Sequence, residues 1–245
     1  MYPYIHFILP SYGVLAFLGG FSALVLIYWR IGKFEIDFSD FLALFALSTI
    51  SGMLGSKILF VITRIPFLLQ NFKLLNLVDL ILHSGYVFYG GLFGVLLAIK
   101  LYSKWTTKYT TQHLFSLIAP AIPLFHCFGR IGCWLAGCCF GFEFVEPIIL
   151  NGFSFTRFPI QLLESLFEAL LFISLLLMEQ RHKKHSLLEI YLIAYACFRF
   201  VIEFFRGDEI RGIFFGLSTS QWISFMIVLY YTKKHFSKES ALTDN

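Results

Sequence analysis

Long apolar segments separated by short charged clusters are the feature that most constrains this sequence. A transmembrane helix needs roughly 20 mostly apolar residues. Seven segments meet this condition, at residues 11–29, 41–62, 84–102, 113–135, 161–179, 187–205 and 213–232. Of the 245 residues, 58% are hydrophobic and only 14% are charged, whereas a soluble domain carries about 25% charged residues. Because such a chain cannot cover its surface with polar groups, lipid must be its solvent.

These segments predict an all-α integral membrane protein with about seven transmembrane helices. Neither a linker nor a low-complexity stretch divides the chain, so we expect one domain over residues 1–235 and a short cytoplasmic tail over 236–245. The N-terminus lacks the basic region of a cleavable signal peptide. Longer connections lie at 63–83 and 136–160. The first is open to two interpretations, an arm along the membrane surface or a connecting loop.

Basic residues are distributed unevenly between the two sets of loops. Because cytoplasmic loops carry an excess of Lys and Arg, the richer set is expected inside, with the N-terminus outside and the C-terminus cytoplasmic. The richer set holds Arg30, Lys33, Lys100, Lys104, Lys108, Arg181, Lys183, Lys184, Lys233, Lys234 and Lys238, and the poorer set holds Arg64, Lys73, Arg157, Arg206 and Arg211. The net charge of +4 therefore reflects membrane orientation and indicates no nucleic-acid partner.

Ionisable residues inside the predicted spans are few, and they are functional candidates because charge is expensive within a bilayer. They include Lys57, Arg130, Glu164, Glu168, Arg199 and Glu203. Arg199, Glu203 and Arg206 follow i, i+4, i+7 spacing, which predicts one shared helix face near the outer end of the sixth span. Two interpretations are open: a structural ion pair that lets one helix carry two arginines, or a site with unbalanced positive charge.

Arg130 lies between Gly129 and Gly132, and such glycines let other groups approach closely. Polar or small residues of other spans are expected at the same outer depth: Tyr12, Tyr89, Gly90, Gly91, Gln161, Glu164 and Gln221. Guanidinium groups bind phosphate oxygens bidentately. The sequence therefore predicts a buried site for a phosphate-bearing ligand, which in a membrane is a phospholipid headgroup.

Cysteine and histidine give weaker signals. Cys133, Cys138 and Cys139 share one outer segment, but the spacing C-x4-C-C matches no strong metal pattern, so no metal site is predicted. Unreactive buried thiols, a disulfide and a reactive thiol all remain open. His126 is expected on the helix face of Arg130, and His83 just outside the third span. Each histidine is either a general base or a structural residue.

Six segments, in their order along the chain, resemble the motifs of one family. The stretch from Phe128 to Gly141 reads F-G-R-I-G-C-W-L-A-G-C-C-F-G, residues 199–208 read R-F-V-I-E-F-F-R-G-D, and residues 159–164 read P-I-Q-L-L-E. The other three are Tyr12-Gly13, Gly90-Gly91-Leu92 and residues 218–221. Together they resemble the prolipoprotein diacylglyceryl transferase family, whose strongest motif is G-R-I-G-N-F-x-N-G-E-x-x-G.

The resemblance implies a transferase that moves diacylglyceryl from phosphatidylglycerol to the thiol of a lipobox cysteine in a prolipoprotein. It implies action at the outer face of a bacterial inner membrane, among membrane lipids and without a cofactor. The residues that it assigns to catalysis are Arg130, Arg199, Glu203 and Tyr89. Those assigned to substrate binding are Tyr12, Gly90, Gly91, Gly129, Gly141, Gln161, Glu164, Arg206 and Gln221.

The sequence departs from the family pattern at four positions. Tyr89 replaces a histidine, Cys133 and Ala136 replace two asparagines, and Cys138 replaces a glutamate. A tyrosine with a pKa near 10 is a poor base for a thiol with a pKa near 8.5. Two alternatives therefore stay open beside the main hypothesis. One is the same fold with a different acceptor or nucleophile, involving Cys138 or Cys139, and the other is a non-catalytic phospholipid-binding or transport protein.

Overall fold

The computed structural model describes residues 4–5, 9–70, 85–150, 153–181, 186–207 and 213–243. Helices dominate this part of the chain. They are α1 (Ser11–Ile31), α2 (Phe38–Gln70), α3 (Phe88–Thr106), α4 (Thr111–Ile118), α5 (Ala121–Ala136), α6 (Ile160–Arg181), α7 (Leu187–Ile202) and α8 (Thr219–Thr243), with a 3-10 turn at Glu203–Phe205. Three antiparallel strand pairs are added: β1 (Tyr4–Ile5) with β2 (Leu9–Pro10), β3 (Glu143–Leu150) with β4 (Phe153–Arg157), and β5 (Ile213–Phe214) with β6 (Leu217–Ser218).

Four helical stretches in the described residues are long and apolar enough to cross a membrane. They are Ser11–Ile31, Phe38–Ile65, Thr111–Ala136 and Ile160–Gln180. Large apolar side chains on these helices face outward, as with Phe17 at 71% exposure and Trp29 at 76%. Such surfaces are stable only against lipid. The helical, membrane-embedded character of the chain is confirmed, while the count of seven spans and the orientation stay predictions.

Three predicted spans differ in detail from the structure. The fourth is interrupted at Ala119 and Pro120, between α4 and α5, because proline has no N–H to continue a helix. The sixth is α-helical only to Ile202. The seventh begins at Thr219 instead of 213, because Phe215 and Gly216 both have positive φ, 49° and 77°. Two such residues in succession make the tight turn of a hairpin, which here joins β5 to β6.

The chain divides into two compact units. Unit 1 comprises Met1–Trp29, Ile118–Ile210 and Ser220–Asn245, and unit 2 comprises Arg30–Leu117 and Arg211–Thr219. The expectation of a single domain over 1–235 with a tail stays a prediction. Unit 1 contains α5, α6 and α7, and α5 packs along α6.

Small residues bring α2 and α3 together in unit 2. A Cβ atom placed on Gly55 would lie 3.1 Å from the Cα of Gly94, and one placed on Gly90 would lie 2.6 Å from the Cβ of Leu59. Ser51 with Gly55, and Gly90 with Gly94, form the small-xxx-small spacing that lets membrane helices approach closely. The pairing of these helices thus depends on backbone contact.

An exposed ion-pair cluster at the ends of α2 and α3 also belongs to unit 2. Lys108 Nζ lies 2.8 Å from Asp37 Oδ2 and 3.0 Å from Asp40 Oδ2. The hydroxyls of Tyr102 and Tyr109 donate to the Asp40 carboxylate over 2.5 and 3.0 Å. Hydrogen bonds to Asp37 and then to Asp40 raise the pKa of Lys108 above its ordinary value. We call Lys108, Asp37 and Asp40 the exposed cluster.

Candidate functional site

Three helices of unit 1 each carry two ionisable residues spaced one turn apart. The pairs are His126 and Arg130 on α5, Glu164 and Glu168 on α6, and Arg199 and Glu203 at the end of α7. All six side chains are buried, with exposures from 0 to 7%. Buried ionised groups are strongly destabilising unless they are paired and hydrogen-bonded. The i, i+4 spacing places each pair on one helix face, so three charged faces meet within this unit.

Glu164 joins the two buried arginines. Arg130 Nη2 donates to Glu164 Oε1 over 3.0 Å, and Arg199 Nη1 donates to the same oxygen. The other arm of Arg199, Nη2, lies 2.5 Å from Glu203 Oε2. The four residues form a continuous ion-pair chain from α5 through α6 to α7, which we call the buried chain. The predicted convergence of Arg130 and Arg199 is therefore present in the structure, through a carboxylate that the two share.

The buried chain leaves hydrogen-bonding capacity unused. Among the described residues, neither Arg130 Nε nor Glu164 Oε2 has a hydrogen-bond partner, although both atoms are buried. A buried unsatisfied polar group costs about 1–3 kcal/mol. A guanidinium offers five N–H donors in a fixed plane, and Arg130 uses one of them, on Nη2, for Glu164. Arg130 can therefore bind a further acceptor without losing its contact with Glu164.

His126 and Glu168 form a second buried pair beside the buried chain. Its Nδ1 lies 2.8 Å from Glu168 Oε1, and its ring meets the Tyr195 ring edge-on at a centroid distance of 5.4 Å. A carboxylate on one ring nitrogen fixes the orientation of an imidazole. The sequence interpretation singled out Glu168 as an ionisable residue but left it out of the site. The missed signal was its i, i+4 spacing from Glu164, which puts both carboxylates on one face.

The end of α5 folds three cysteines together. Gly137 has φ 73°, and its N–H donates to the Trp134 carbonyl over 3.2 Å, which ends the helix in the manner typical of glycine. The chain then turns back, so that the Cys138 N–H reaches the Cys133 carbonyl at 3.1 Å. The Sγ atoms of Cys133, Cys138 and Cys139 all lie within 4.8 Å of one another.

The cysteine loop is close to the arginines. Hydrogen bonds with Cys133 and Cys138, and then the charges of Arg130 and Arg206, lower the pKa of the Cys139 thiol. Gln161 is buried, and its Nε2 donates to the Cys138 carbonyl over 2.7 Å. The structure therefore gives Gln161 the role of holding the backbone of this loop against α6.

Arg206 is held outside the helix, so the prediction that it shares a helix face with Arg199 and Glu203 is wrong. α7 ends at Ile202, and Arg206 has an extended backbone with φ −77° and ψ 140°. A β-bridge pairs Arg206 with Gly141. This pairing between distant segments overrides the local helical spacing, and it places Arg206 beside the loop that follows α5.

Gly141 occupies a crowded position in that junction. A Cβ atom there would lie 2.6 Å from the Phe158 carbonyl oxygen and 3.0 Å from that of Phe205. Its N–H donates to the Phe158 carbonyl over 3.1 Å. Glycine is required by this close approach, and the geometry gives Gly141 a supporting role for the neighbouring loop.

Tyr12, Gly129 and Gln221 also belong to unit 1. Tyr12 is 39% exposed at the start of α1, and a Cβ atom on Gly132 would lie 3.3 Å from its Cα. A Cβ atom on Gly129 would meet no described heavy atom within 4 Å. The close approach predicted beside Arg130 is therefore found at Gly132. Gln221 is buried, and its Nε2 donates to the Phe200 carbonyl over 3.3 Å.

Tyr89, Gly90 and Gly91 belong to unit 2. Tyr89 is 1% exposed and stacks on Phe93 with ring centroids 5.9 Å apart. Gly90 and Gly91 face α2, where a Cβ atom on Gly91 would lie 3.1 Å from the Gly52 carbonyl oxygen. This packing gives both glycines a structural role, and the catalytic or binding roles of all three stay predictions. His83 and Asp208 lie outside the described residues.

Comparison with known proteins matches nearly the whole chain to one family. The family model of the prolipoprotein diacylglyceryl transferases matches residues 4–232. The chain is 33% identical over 230 residues to the phosphatidylglycerol–prolipoprotein diacylglyceryl transferase of Clostridium tetani, covering 89% of each chain. It is 34% identical over 227 residues to transferase 2 of Clostridium perfringens, covering 89% of this chain and 87% of the relative. For the Helicobacter pylori enzyme, identity is 29% over 260 residues, covering 96% and 90%.

Proposed function

The chain belongs to the prolipoprotein diacylglyceryl transferase family and transfers diacylglyceryl from phosphatidylglycerol to prolipoproteins, and we propose that its buried chain holds the phosphate of the donor lipid. The observation that carries this proposal is the convergence of Arg130 and Arg199 on one oxygen of Glu164. Guanidinium groups fixed in this way present planar donors to phosphate oxygens. Arg206, beside the same loop, adds positive charge.

The acceptor is the thiol of a lipobox cysteine. Its sulfur attacks the diacylglyceryl carbon that carries the phosphate ester, and a C–S bond forms as the C–O bond breaks. The electron pair of the broken bond leaves with glycerol phosphate, which takes up the proton lost by the thiol. Arg130 and Arg199 stabilise the negative charge that develops on the phosphate, because fixed donors act strongly in a water-poor site.

Glu164 and Glu203 position the arginines in this mechanism. Glu164 binds one arm of each arginine, and Glu203 binds the other arm of Arg199. Since two carboxylates fix Arg199, it loses little rotamer freedom on binding a ligand. Arg130 keeps donors free for the phosphate because its Nε has no partner among the described residues.

Five of the remaining predicted site residues, all in unit 1, border this centre in the proposal. Tyr12 and Gly129 border the donor lipid, while Gln161, Gly141 and Gln221 hold the backbone on which the site is built. The catalytic role of Tyr89 and the binding roles of Gly90 and Gly91, which belong to unit 2, stay predictions. Support for Tyr12 comes from its partial exposure beside α5.

We place the chain in the bacterial inner membrane as a single seven-span domain. The N-terminus is outside, the C-terminal tail is cytoplasmic, and the reaction takes place at the outer face among membrane lipids. Support comes from the unequal distribution of Lys and Arg between the two sets of loops. No nucleic acid takes part in this function.

A transfer assay tests the proposal. The chain is purified in detergent and supplied with labelled phosphatidylglycerol and a lipobox peptide, and the thioether product and glycerol phosphate are measured by mass spectrometry. The peptide with serine in place of its cysteine is the acceptor control. We expect product only with the cysteine peptide.

Two variants test whether the transfer depends on the buried chain. Arg130→Lys should abolish most of the transfer, whereas Lys108→Arg should leave it intact because Lys108 belongs to the exposed cluster and not to the buried chain. Absence of thioether product from the unaltered chain, with an active relative as positive control, would overturn the proposed activity. Equal transfer by the two variants would remove the buried chain from it.

A further inference from the structure

The three clustered sulfurs have the spacing of a metal site. A tetrahedral zinc–thiolate centre has bonds of about 2.3 Å, which puts its sulfurs about 3.8 Å apart. The Sγ atoms of Cys133, Cys138 and Cys139 lie within 4.8 Å of one another. Small side-chain rotations therefore close the cluster around one ion. Cys133 is buried, Cys139 half-buried and Cys138 exposed, so the cluster extends from the interior to the surface.

The backbone fixes this arrangement before any ion binds. Cys139 has φ 57°, a left-handed conformation that is uncommon for a residue with a side chain. Gly137 turns the chain at the end of α5, Gln161 holds the Cys138 carbonyl, and Gly141 pins the loop to its neighbours. A strained residue held by its surroundings is found most often at binding and active sites.

We propose that Cys133, Cys138 and Cys139 bind a thiophilic divalent ion, with zinc as the best match, and that the open position on this ion takes the thiol of the acceptor peptide. In the described part of the chain, no fourth His, Cys, Asp or Glu side chain joins the group. Three protein ligands and one open position are typical of catalytic zinc, whereas structural zinc has four. The second half of the proposal rests on the proposed transferase function.

A bound ion provides a way to deprotonate the acceptor thiol. A neutral tyrosine such as Tyr89 is a poor base for a thiol. A thiol that coordinates a metal ion loses its proton without a separate base. The acceptor sulfur then attacks as a thiolate, the C–O bond of the donor breaks, and the released proton ends on glycerol phosphate.

The position of the cluster suits this step. Cys133 follows Arg130 by three residues on α5, so the two side chains share a helix face. Gly141, two residues after Cys139, is bridged to Arg206. The proposal therefore brings the acceptor sulfur on the ion close to the donor phosphate on the arginines. A disulfide uses only two of the three sulfurs, whereas an ion uses all of them.

Metal binding is measured first, without turnover. The reduced, detergent-purified chain is loaded with zinc for elemental analysis, or with cobalt for absorption spectroscopy, in which thiolate ligands give a charge-transfer band. We expect about one ion per chain, the occupancy of a single three-cysteine site. Cys138→Ser and Cys139→Ser should lose the ion, whereas Cys197→Ser, an exposed cysteine on α7, should keep it. Circular dichroism and gel filtration establish that each variant is folded.

Acceptor binding is measured next on the cobalt-loaded chain. The lipobox peptide should shift the cobalt spectrum, and the same peptide with serine in place of cysteine should not. Failure to bind a stoichiometric ion, binding unchanged by Cys138→Ser, or a disulfide among these cysteines in an active chain would each overturn the inference. Transfer by an ion-free chain would also overturn it while leaving the proposed function intact. An ion site that responds to the peptide in a chain without transfer activity would count against the proposed function alone.

Discussion

Two ion-pair clusters in this molecule join basic and acidic side chains in opposite surroundings. In the buried chain, the side chains of Glu164 and Arg199 are 1% and 5% exposed. In the exposed cluster, the side chains of Lys108 and Asp37 are 52% and 62% exposed, while that of Asp40 is 13% exposed. Exposed pairs contribute little to stability because water and salt screen them. Burying a charged pair carries a desolvation penalty that an apolar pair of the same size avoids.

The difference indicates what each cluster is for. The exposed cluster ties helix ends together in water, a task that other polar residues also perform. The buried chain links three helices, although leucines would link them at lower cost. The proposed binding of the donor phosphate accounts for this buried charge, since Arg130 keeps an unused donor there. Burial and the unused arginine donor therefore distinguish the candidate site from the exposed ion pairs.

The largest expected effect comes from Arg199→Lys. A lysine ammonium has no fork to bridge Glu164 and Glu203, so the phosphate loses a fixed donor. Removing one such donor lowers turnover by about 100- to 1,000-fold. The reverse exchange in the exposed cluster, Lys108→Arg, should leave turnover unchanged. The measurement is the rate of glycerol phosphate release, and similar rates for both variants would remove the distinction between the clusters.

The next effect concerns stability. Glu164→Gln leaves Arg130 and Arg199 without their shared counter-charge, and breaking a buried pair costs about 3–5 kcal/mol. Asp37→Asn, in the exposed cluster, should not change the unfolding midpoint measurably. Both are measured by chemical denaturation in detergent micelles. A Glu164→Gln variant as stable as the unaltered chain would mean that the buried carboxylate is not required by the arginines.

A third prediction tests what stabilises unit 2. We expect close packing of α2 against α3, rather than the exposed cluster, to stabilise this unit. Gly94→Ala should then lower the free energy of unfolding by about 1–3 kcal/mol, because the added methyl group meets the backbone of α2. Gly20→Ala is the control, since a Cβ atom there meets no described atom within 4 Å. In a helix this exchange should be neutral or stabilising by about 0.5–1 kcal/mol. Equal stability of the two variants would contradict the packing account.

The smallest effect is the pH response of the exposed cluster. The pKa of Lys108 is raised in the folded state, so its contribution to stability is complete below the unfolded lysine pKa of about 10.4. That contribution is lost as the pH rises through the higher folded value. The unaltered chain should therefore lose slightly more stability above this pH than Lys108→Gln does. Parallel curves would show that Lys108 does not contribute.

The helices were largely predictable from sequence, and the exceptions have physical causes. Hydropathy located α1, α2 and α6 to within a few residues at most ends, because lipid demands long apolar stretches. The end of α7 was not predictable, since it depends on Arg206 pairing with Gly141, far away in sequence. The β3–β4 hairpin, inside the stretch predicted as a connection at 136–160, was also missed, because strand formation depends on pairing with a partner strand more than on local residue preference.

The candidate site was predictable in its members but not in its connections. Charge inside apolar segments singled out Arg130, Arg199 and Glu203, and i, i+4 spacing gave their helix faces. Which carboxylate bridges the arginines depends on how α6 is rotated against its neighbours, and local spacing does not determine that rotation. The cysteine cluster was also not predictable, because its C-x4-C-C spacing matches no common metal-binding pattern. The three sulfurs come together only because Gly137 turns the chain back after α5.

Donor binding tests the central claim most directly. The fraction of protein carrying phosphatidylglycerol is measured by native mass spectrometry across a lipid titration, for the unaltered chain and for folded Arg130→Lys. If the buried chain holds the phosphate, the variant should bind phosphatidylglycerol about 30-fold more weakly or worse, as expected when one partner of a buried charged contact is lost. Equal affinity of the variant and the unaltered chain would contradict the claim.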